Sequence, residues 1–368
     1  MSYRNIPWDF IEKFVVDVFC AYGVPKDDAV ICADVLLESD RRGIESHGLN
    51  RLKPIYLDRI KEKIQRPITN FEIVKEGSTT AVVDGHDGMG QVIAVKSMSL
   101  AIKKAKNFGM GMVAAKNSTH YGIAGYYTSM ASQNGCIGIS GTNARPSIAP
   151  TFGVENMLGT NPLTFGVPTD EPFDFCLDCA TSIIQRGKIE TLARKDLPTP
   201  SGTVIGEDGF SLTDSKQILA ALLKGEAALA PLGGLGEELA GYKGFGYATV
   251  VEIFSAALQG GSFLKQLNGI GPDGTKHPYH LGHFFIAIDV EAFLPLKVFK
   301  KNVGDILRAL RASKKAPGAE RIYTAGEKEY LVRLQRQDTG VPVNDSVQKE
   351  LIAIRDELSL TQYRFPFE

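Results

Sequence analysis

The hydrophobic period of this chain changes near residue 70, and that change limits the fold more than any other feature. Before it, residues 6 to 65 repeat apolar side chains at helical spacing. IPWDFIEKFVVDVFCAYG reads as one helix, with Gly23 standing at its C′ position. KDDAVICADVLLESDRRGIESHGLNRLKPIYLDRI carries a second and a third helix, the third broken or kinked at Pro54. After residue 70 come short β-branched runs, FEIVKEG and TTAVVDG, closed by Gly77 and Gly85. Residues 91 to 108 read as an amphipathic helix, GMGMVAAKNS as a strand, and IAGYYTSMASQNG as a helix ending at Gly135. CIGISGTN and LTFGVPT are buried strands with a glycine-rich connection. Residues 185 to 245 are less regular, and Pro231, Gly233, Gly234 and Gly236 mark a loop or hinge. TVVEIFSAALQGG is helical, HFFIAIDV is a strand, and residues 293 to 316 and 343 to 357 are helical again. Alternating strands and helices between helical ends predict an α/β domain inserted into a helical one. With 368 residues the chain exceeds one ordinary core, so two domains are expected. Residues 1–72 with 300–368 form the mainly helical one. Residues 73–299 form the α/β one, and part of 200–260 is free to pack with the helical domain.

Charge and cysteine usage narrow the function classes. A net charge of −1 offers no field to draw nucleic acid or an anionic membrane. MSYRNIPWDF has no apolar core of a secretory signal, and no apolar run reaches membrane-span length. Cys20, Cys32, Cys136, Cys176 and Cys179 are an odd, scattered set, which fits reduced thiols in the cytoplasm better than a disulfide framework.

ESHGLNRL places Ser46, His47 and Arg51 together in the expected third helix, with positions 47 and 51 one turn apart on one face. An imidazole moves a proton near neutral pH, and a guanidinium grips a carboxylate through two parallel hydrogen bonds. The pair therefore suits a small acid whose neighbouring oxygen gains or loses a proton; the alternative is a solvated helix face. Gly109, Gly111 and Ala114 imitate the dinucleotide fingerprint G-x-G-x-x-G/A, but a helix precedes them and a strand follows, and the next acidic residue is Glu155. No Rossmann site is expected there. Cys176 and Cys179 form a C-x-x-C without a second ligand pair nearby, so they read as buried thiols rather than a metal or redox site. In KNSTHYGIAGYY, Ser118 or Thr119 is placed to cap the following helix. His120 either faces an anion at that helix start or bonds its own helix end. GTNP (159–162) and LDCATS (177–182) read as turns of small polar groups that let backbone approach a ligand. Asp178 follows apolar residues, so it needs a partner such as an imidazole. Lys243, between glycines in GYKGFGY, suits a ribose or phosphate contact or a solvated loop. His86, His277, His280 and His283 read as structural.

Taken together, these segments resemble the malate/L-lactate dehydrogenase family that lacks a Rossmann fold. The markers run in the family's order over about residues 8 to 360: SHGLNR, NSTHYGIAGY, GTNPLTFGVP, LDCATS, YKGFG, GHFFIAID and AGEKE. The resemblance implies an α/β fold with a mixed-sheet, non-Rossmann nicotinamide-binding domain inserted into a mainly helical domain. It implies a homodimer, NAD or else NADP as cofactor, and no metal. By the same resemblance His47 exchanges a proton with the substrate oxygen, Arg51 clamps the carboxylate and Ser46 supports them. His120 is a second acid/base candidate, and Asp178 belongs to the catalytic set and lies along the cofactor. Further cofactor contacts are expected from Thr160, Asn161, Cys179, Ala180, Thr181, Ser182, Tyr242, Lys243, Gly244, Gly326 and Glu327. Thr119 and Tyr121 stand where the family commonly has Asn and Phe, and both are expected to border the pocket. SIIQRGKIE keeps only Gly187 and Lys188 of the stretch usual after the 177–182 turn. The expected substrate is a small 2-hydroxy or 2-oxo acid, malate and oxaloacetate first. Lactate, sulfolactate, ureidoglycolate, diketogulonate and a cyclic piperideine-carboxylate are alternatives. The rivals from other classes are a metal-dependent hydrolase using His47, His120 and Asp178, and a nucleotide-binding module without catalysis.

Overall fold

The computed structural model describes residues 3–271 and 273–368. The chain begins with β1 (Tyr3–Ile6), α1 (Trp8–Ala21) and α2 (Lys26–Arg41). Two 3-10 turns (Glu45–His47 and Leu49–Arg51), a π-helical turn (Leu52–Leu57) and α3 (Asp58–Lys61) follow. The middle runs through β2 (Glu72–Glu76), β3 (Thr80–Asp84), α4 (Gly90–Phe108), β4 (Met110–Ser118), α5 (Ala124–Gln133), β5 (Cys136–Thr142), β6 (Leu163–Val167) and β7 (Phe175–Cys179). Next come α6 (Arg186–Arg194), β8 (Val204–Gly206), α7 (Ser215–Lys224), β9 (Ala227–Leu229) and α8 (Gly241–Ala256). The last elements are β10 (Leu281–Asp289), α9 (Leu296–Ala312), α10 (Glu327–Thr339), β11 (Val341–Asn344) and α11 (Asp345–Glu357).

Seven strands form one mixed sheet in the order β2-β3-β4-β10-β5-β6-β7. Only β3 and β4 run parallel, joined by the α4 crossover; the other neighbours are antiparallel. β10 lies at the centre, which explains its nearly continuous apolar run: Phe284 and Phe285 are buried on opposite faces. β1 and β11 pair antiparallel and bring the two ends of the chain together.

The helical ends share one core, in which Phe14, Phe19, Leu36 and Tyr56 pack with Leu351 and Phe365. A second core joins α4 and α5 to the sheet through Val83, Met98, Val113, Tyr127 and Phe285. The irregular stretch after residue 185 builds a third around Ile148, Ile189, Val204, Ile218 and Leu229, with the β8–β9 pair beside it. α9 lies against the turn between β6 and β7, where Arg308 pairs with Asp170 and Glu171.

Three local expectations need correction. Residues 45–51 are not one helix: Gly48 takes an extended conformation (φ −91, ψ −143) and splits the segment into two 3-10 turns. The cause is Asp40, whose carboxylate lies 2.1 Å from where a Cβ on residue 48 would stand. Asp40 Oδ2 accepts the Leu49 N–H at 2.8 Å, which replaces a helical bond. Thr119 does not cap α5. Its hydroxyl accepts the Gly90 N–H at 2.9 Å and donates to the Gly88 carbonyl at 2.8 Å, so it holds the start of α4 instead. The segment 177–179, expected as part of a turn, is the end of edge strand β7, where Thr164 faces Asp178 across the ladder.

Candidate active site

The loop carrying Ser46, His47 and Arg51 is fastened from below. Asp40, 3% exposed, holds Leu49 as described. Arg336 of α10 donates to the Asp40 carbonyl at 2.5 Å and pairs with Glu45. Burial pushes the Asp40 carboxyl up to about 7, with Glu45 adding to the rise; the Leu49 N–H, Arg336 and Arg41 oppose it.

Above that floor, Ser46 Oγ lies 2.9 Å from His47 Nδ1, and Arg51 Nε donates to the Ser46 carbonyl at 2.6 Å. His47 and Arg51 thus meet through the Ser46 turn rather than along a helix face. His120 arrives from the β4–α5 connection, and its ring stacks on that of His47 with centroids 5.7 Å apart and planes 18° apart. Tyr56 hydroxyl stands 2.8 Å from His120 Nδ1, which also receives the Gly122 N–H at 3.4 Å. Both contacts cast Nδ1 as an acceptor and leave the proton on Nε2. Neither Nε2 has a hydrogen-bond partner among the described residues, so both are available to a ligand. Burial and the Arg51 charge lower His47 to about 4. Burial, then His47, Arg59 and Arg51, lower His120 well below its ordinary value. Both imidazoles are therefore neutral at pH 7.

Asp178 has the partners its burial was expected to require, but neither is an imidazole. Its carboxylate accepts the Gly125 N–H at 2.7 Å, at the start of α5, and the Thr164 hydroxyl at 3.1 Å. The helix start does hold an anion, and that anion is Asp178. Burial raises its pKa, while Gly125, Thr164 and Arg42 oppose the rise. Cys176 and Cys179, three apart on β7, point to opposite faces of the strand and cannot act as a pair. Among the described residues, no three His, Cys, Asp or Glu side chains are placed to hold a metal ion, so the hydrolase set His47, His120 and Asp178 is not assembled. Thr119 and Tyr121 are both buried, and Tyr121 stacks on His283 at 4.4 Å.

The residues expected near a cofactor fall into two neighbouring groups. Thr181 bonds the Thr160 and Asn161 carbonyls through its hydroxyl, and its own carbonyl accepts the Leu232 N–H. Asn161 ties that turn to α8 by donating to the Ala248 carbonyl and Glu252. Gly244, at the start of α8, packs so closely on Leu232 that a Cβ would stand 2.2 Å from its carbonyl oxygen. Thr181 and Gly244 therefore meet at Leu232, with Thr160 and Asn161 bonded to Thr181 and Ser182 paired with Pro231. Tyr242 and Lys243 are exposed at the same helix start, and the Ser182 hydroxyl is buried without a partner. The second group is a cavity of about 540 Å³ lined by Arg42, Cys176, Asp178, Gly326, Lys328 and Arg333, among others. Gly326 follows Ala325, whose carbonyl accepts the Cys176 N–H. Glu327 turns inward, where its carboxylate binds Arg321, Arg311 and Thr324. Cys179 faces the Leu163 carbonyl. The volume of this cavity with the Gly326 backbone on its wall and, in the first group, the unpartnered Ser182 hydroxyl fit a polar ligand such as a dinucleotide.

Four residues escaped the sequence reading: Asp40, Arg42, Tyr56 and Arg59. Asp40 had one readable signal, a run of acidic and polar residues (Glu38, Ser39, Asp40) directly after the apolar VLL. Tyr56 and Arg59 had none, because their direction depends on the π turn at Leu52–Leu57.

Comparison with known proteins identifies the family. A family model described as malate/L-lactate dehydrogenase matches residues 6–352. The chain is 42% identical over 351 residues to malate dehydrogenase of Pyrococcus horikoshii, covering 95% of this chain and 94% of that one. It is 39% identical over 351 residues to L-sulfolactate dehydrogenase of Methanocaldococcus jannaschii, covering 95% and 96%. Among solved structures, malate dehydrogenase from Entamoeba histolytica superposes with a TM-score of 0.94 at 42% identity, covering 99% of this chain and 100% of that chain.

Proposed function

The chain belongs to the malate/L-lactate dehydrogenase family, and from that premise we propose that it interconverts malate and oxaloacetate with NAD, using His47 for the proton and Arg51 for the carboxylate. That it is a hydroxy-acid dehydrogenase, with a nicotinamide cofactor implied, follows from the family; the substrate, the choice of NAD and the residue roles are the proposal. One observation carries it. Arg51 spends only its Nε on protein, leaving both terminal nitrogens without a partner among the described residues, beside two neutral stacked imidazoles. A free guanidinium fork takes a carboxylate through two parallel hydrogen bonds.

The nicotinamide, when bound, supplies or accepts the hydride. The chain's own residues do the rest. Asp178, Thr181, Ser182, Lys243, Gly244 and Gly326 would hold the cofactor. Arg51 orients the substrate, and fixing two reactants in register removes much of the barrier. His47, neutral in the free protein, is ready to accept the hydroxyl proton of malate. A carboxylate docked on Arg51 cancels the cation that helps depress His47. The imidazole then holds a proton more readily, as reduction of oxaloacetate requires. Ser46 fixes the ring, and Tyr56 fixes His120 behind it.

We also propose a homodimer in the cytoplasm. α8 is apolar on nearly every side, which suits a helix covered all round. Yet Tyr247, Val250 and Ile253 on its outer face are about half exposed. Beside them a cleft of about 570 Å³ is lined by Met157, Phe245, Ile253, Ala257 and Phe263. A second copy of the chain is the occupant we assign, and a monomeric mass by light scattering with full activity would contradict it. Free rather than bridged cysteines support the compartment.

A screen of NADH and NADPH oxidation tests the function. The substrates are oxaloacetate, pyruvate, sulfopyruvate, diketogulonate and piperideine-carboxylate. The expected best pair is oxaloacetate with NADH; no turnover with any pair would refute the proposal.

A further inference from the structure

A second arginine beside the histidine pair has no anion of its own. Arg59, in α3, makes no side-chain hydrogen bond or ion pair among the described residues. Its guanidinium lies over the Tyr279 ring, 4.5 Å from the centroid. Glu62, an acidic group whose charge bears on it, is paired with Lys276 at 2.6 Å. A half-buried cation without a counter-ion is costly, and a fold keeps one where a ligand provides the charge. Burial lowers the basicity of Arg59, with Arg145 adding to that and Tyr279, Tyr56 and Glu62 opposing it.

The π turn explains how Arg59 reaches this place. In an uninterrupted α-helix, residues eight apart diverge by roughly 80° around the axis. A π turn takes up one extra residue, which rotates the following chain back by roughly 100°. Arg51, Tyr56 and Arg59 consequently gather on one side. Tyr56 sits between the two arginines' fields, and His120 senses both. The charges of Arg51 and Arg59 thus both reach the Tyr56–His120 contact, and no carboxylate among the described residues forms an ion pair with either of them.

We propose that Arg59 is a specificity-determining residue that binds a second anionic group at the far end of the substrate, selecting dianionic 2-oxo acids over monoanionic ones. This rests on the proposed 2-oxo acid reaction and narrows its substrate class. Arg51 takes the carboxylate next to the reacting carbon, and Arg59 takes the distal carboxylate or sulfonate.

The test compares kcat/KM for oxaloacetate, sulfopyruvate and pyruvate in the wild type, Arg59→Gln and Arg59→Lys. The wild type should prefer at least one dianion to pyruvate by roughly tenfold or more, and whether that dianion is oxaloacetate or sulfopyruvate identifies the distal group. Arg59→Gln should lower kcat/KM for that dianion on the order of 100-fold and change pyruvate by less than about threefold, as expected when one partner of a desolvated charge pair is removed. Arg59→Lys should recover part of the loss, because it keeps the charge but not the fork. Equal losses for all three substrates, or no loss, would overturn the clamp while leaving the dehydrogenase reading intact. Absence of wild-type turnover with all three would instead remove the proposed reaction, and the clamp with it. Should Arg59→Gln not fold, the wild-type ratio and Arg59→Lys decide, and pyruvate used as well as both dianions overturns the proposal.

Discussion

Asp40→Asn should stabilise the protein at alkaline pH and barely affect it under acid. An Asn carbonyl can still accept the Leu49 N–H that Asp40 holds at 2.8 Å, so the loop keeps its floor. What changes is charge. In the folded chain the carboxyl of Asp40 is raised to about 7, against about 3.9 for an unfolded aspartate. A raised carboxyl pKa means that the folded state favours the protonated form. Its contribution is then fully present below pH ~4 and is lost as pH rises through about 7. At 1.36 kcal/mol per pKa unit, the cost in the wild type is on the order of 1–2 kcal/mol at pH ~5 and about 4 kcal/mol at pH ~9. The substitution removes this cost, so its advantage should grow by roughly 2–3 kcal/mol between those two pH values. Denaturant unfolding followed by Trp8 fluorescence reads it. Trp8 is the only tryptophan, and its ring N–H donates to the Arg336 carbonyl at 2.8 Å in the same helical core. A difference between wild type and variant that is the same at both pH values would refute the reasoning.

Gly48→Ala should do the opposite, because its Cβ would collide with the Asp40 carboxylate. We expect roughly 1–3 kcal/mol of destabilisation, from overpacking, and a fall in kcat as His47 and Arg51 are displaced. Normal kcat and stability would show that the loop has slack. Arg51→Lys should mainly raise KM, by less than Arg51→Ala does, since lysine keeps the charge without the fork. A large loss of kcat at unchanged KM would assign Arg51 to the transition state alone. Binding of oxaloacetate between about pH 5 and 6 should draw protons from solution, measurable by calorimetry in buffers of different ionisation enthalpy. The sign follows from a carboxylate on Arg51 raising a histidine that sits at about 4 in the free chain. Proton release would contradict it.

Much of the fold was legible because apolar period reports secondary structure wherever an element has one face in a core. β10 and α4 are long and strongly patterned, and both appear where the pattern put them. The 45–51 segment misled for a definite reason. Its residues are compatible with a helix, and a buried carboxylate nine residues upstream of Leu49 decides otherwise; the polar run Glu38-Ser39-Asp40 marks that acid but not the contact it makes. α10 also went unread: it is mostly polar, and it is held by Arg333 and Arg336 pairing with Glu38 and Glu45. At the site, residue types pointed to Ser46, His47, Arg51 and His120, and the structure gathers all four. It is the partners that stayed hidden. Asp178 was expected to need a partner such as an imidazole and meets a helix start, and Arg59 depends on a π turn that no spacing rule anticipates. Family markers supplied the grouping of the 160, 181 and 244 segments, because small polar turns carry little information individually.

The central claim is that His47 carries the proton while hydride passes between substrate and nicotinamide. The direct measurement is turnover of oxaloacetate with reduced nicotinamide cofactor in wild type, His47→Ala and His120→Ala, alongside cofactor affinity by fluorescence. The account predicts that His47→Ala loses roughly two to four orders of magnitude in kcat and binds cofactor as the wild type does. Near-normal turnover in His47→Ala, with collapse in His120→Ala, would contradict it and move the proton to His120.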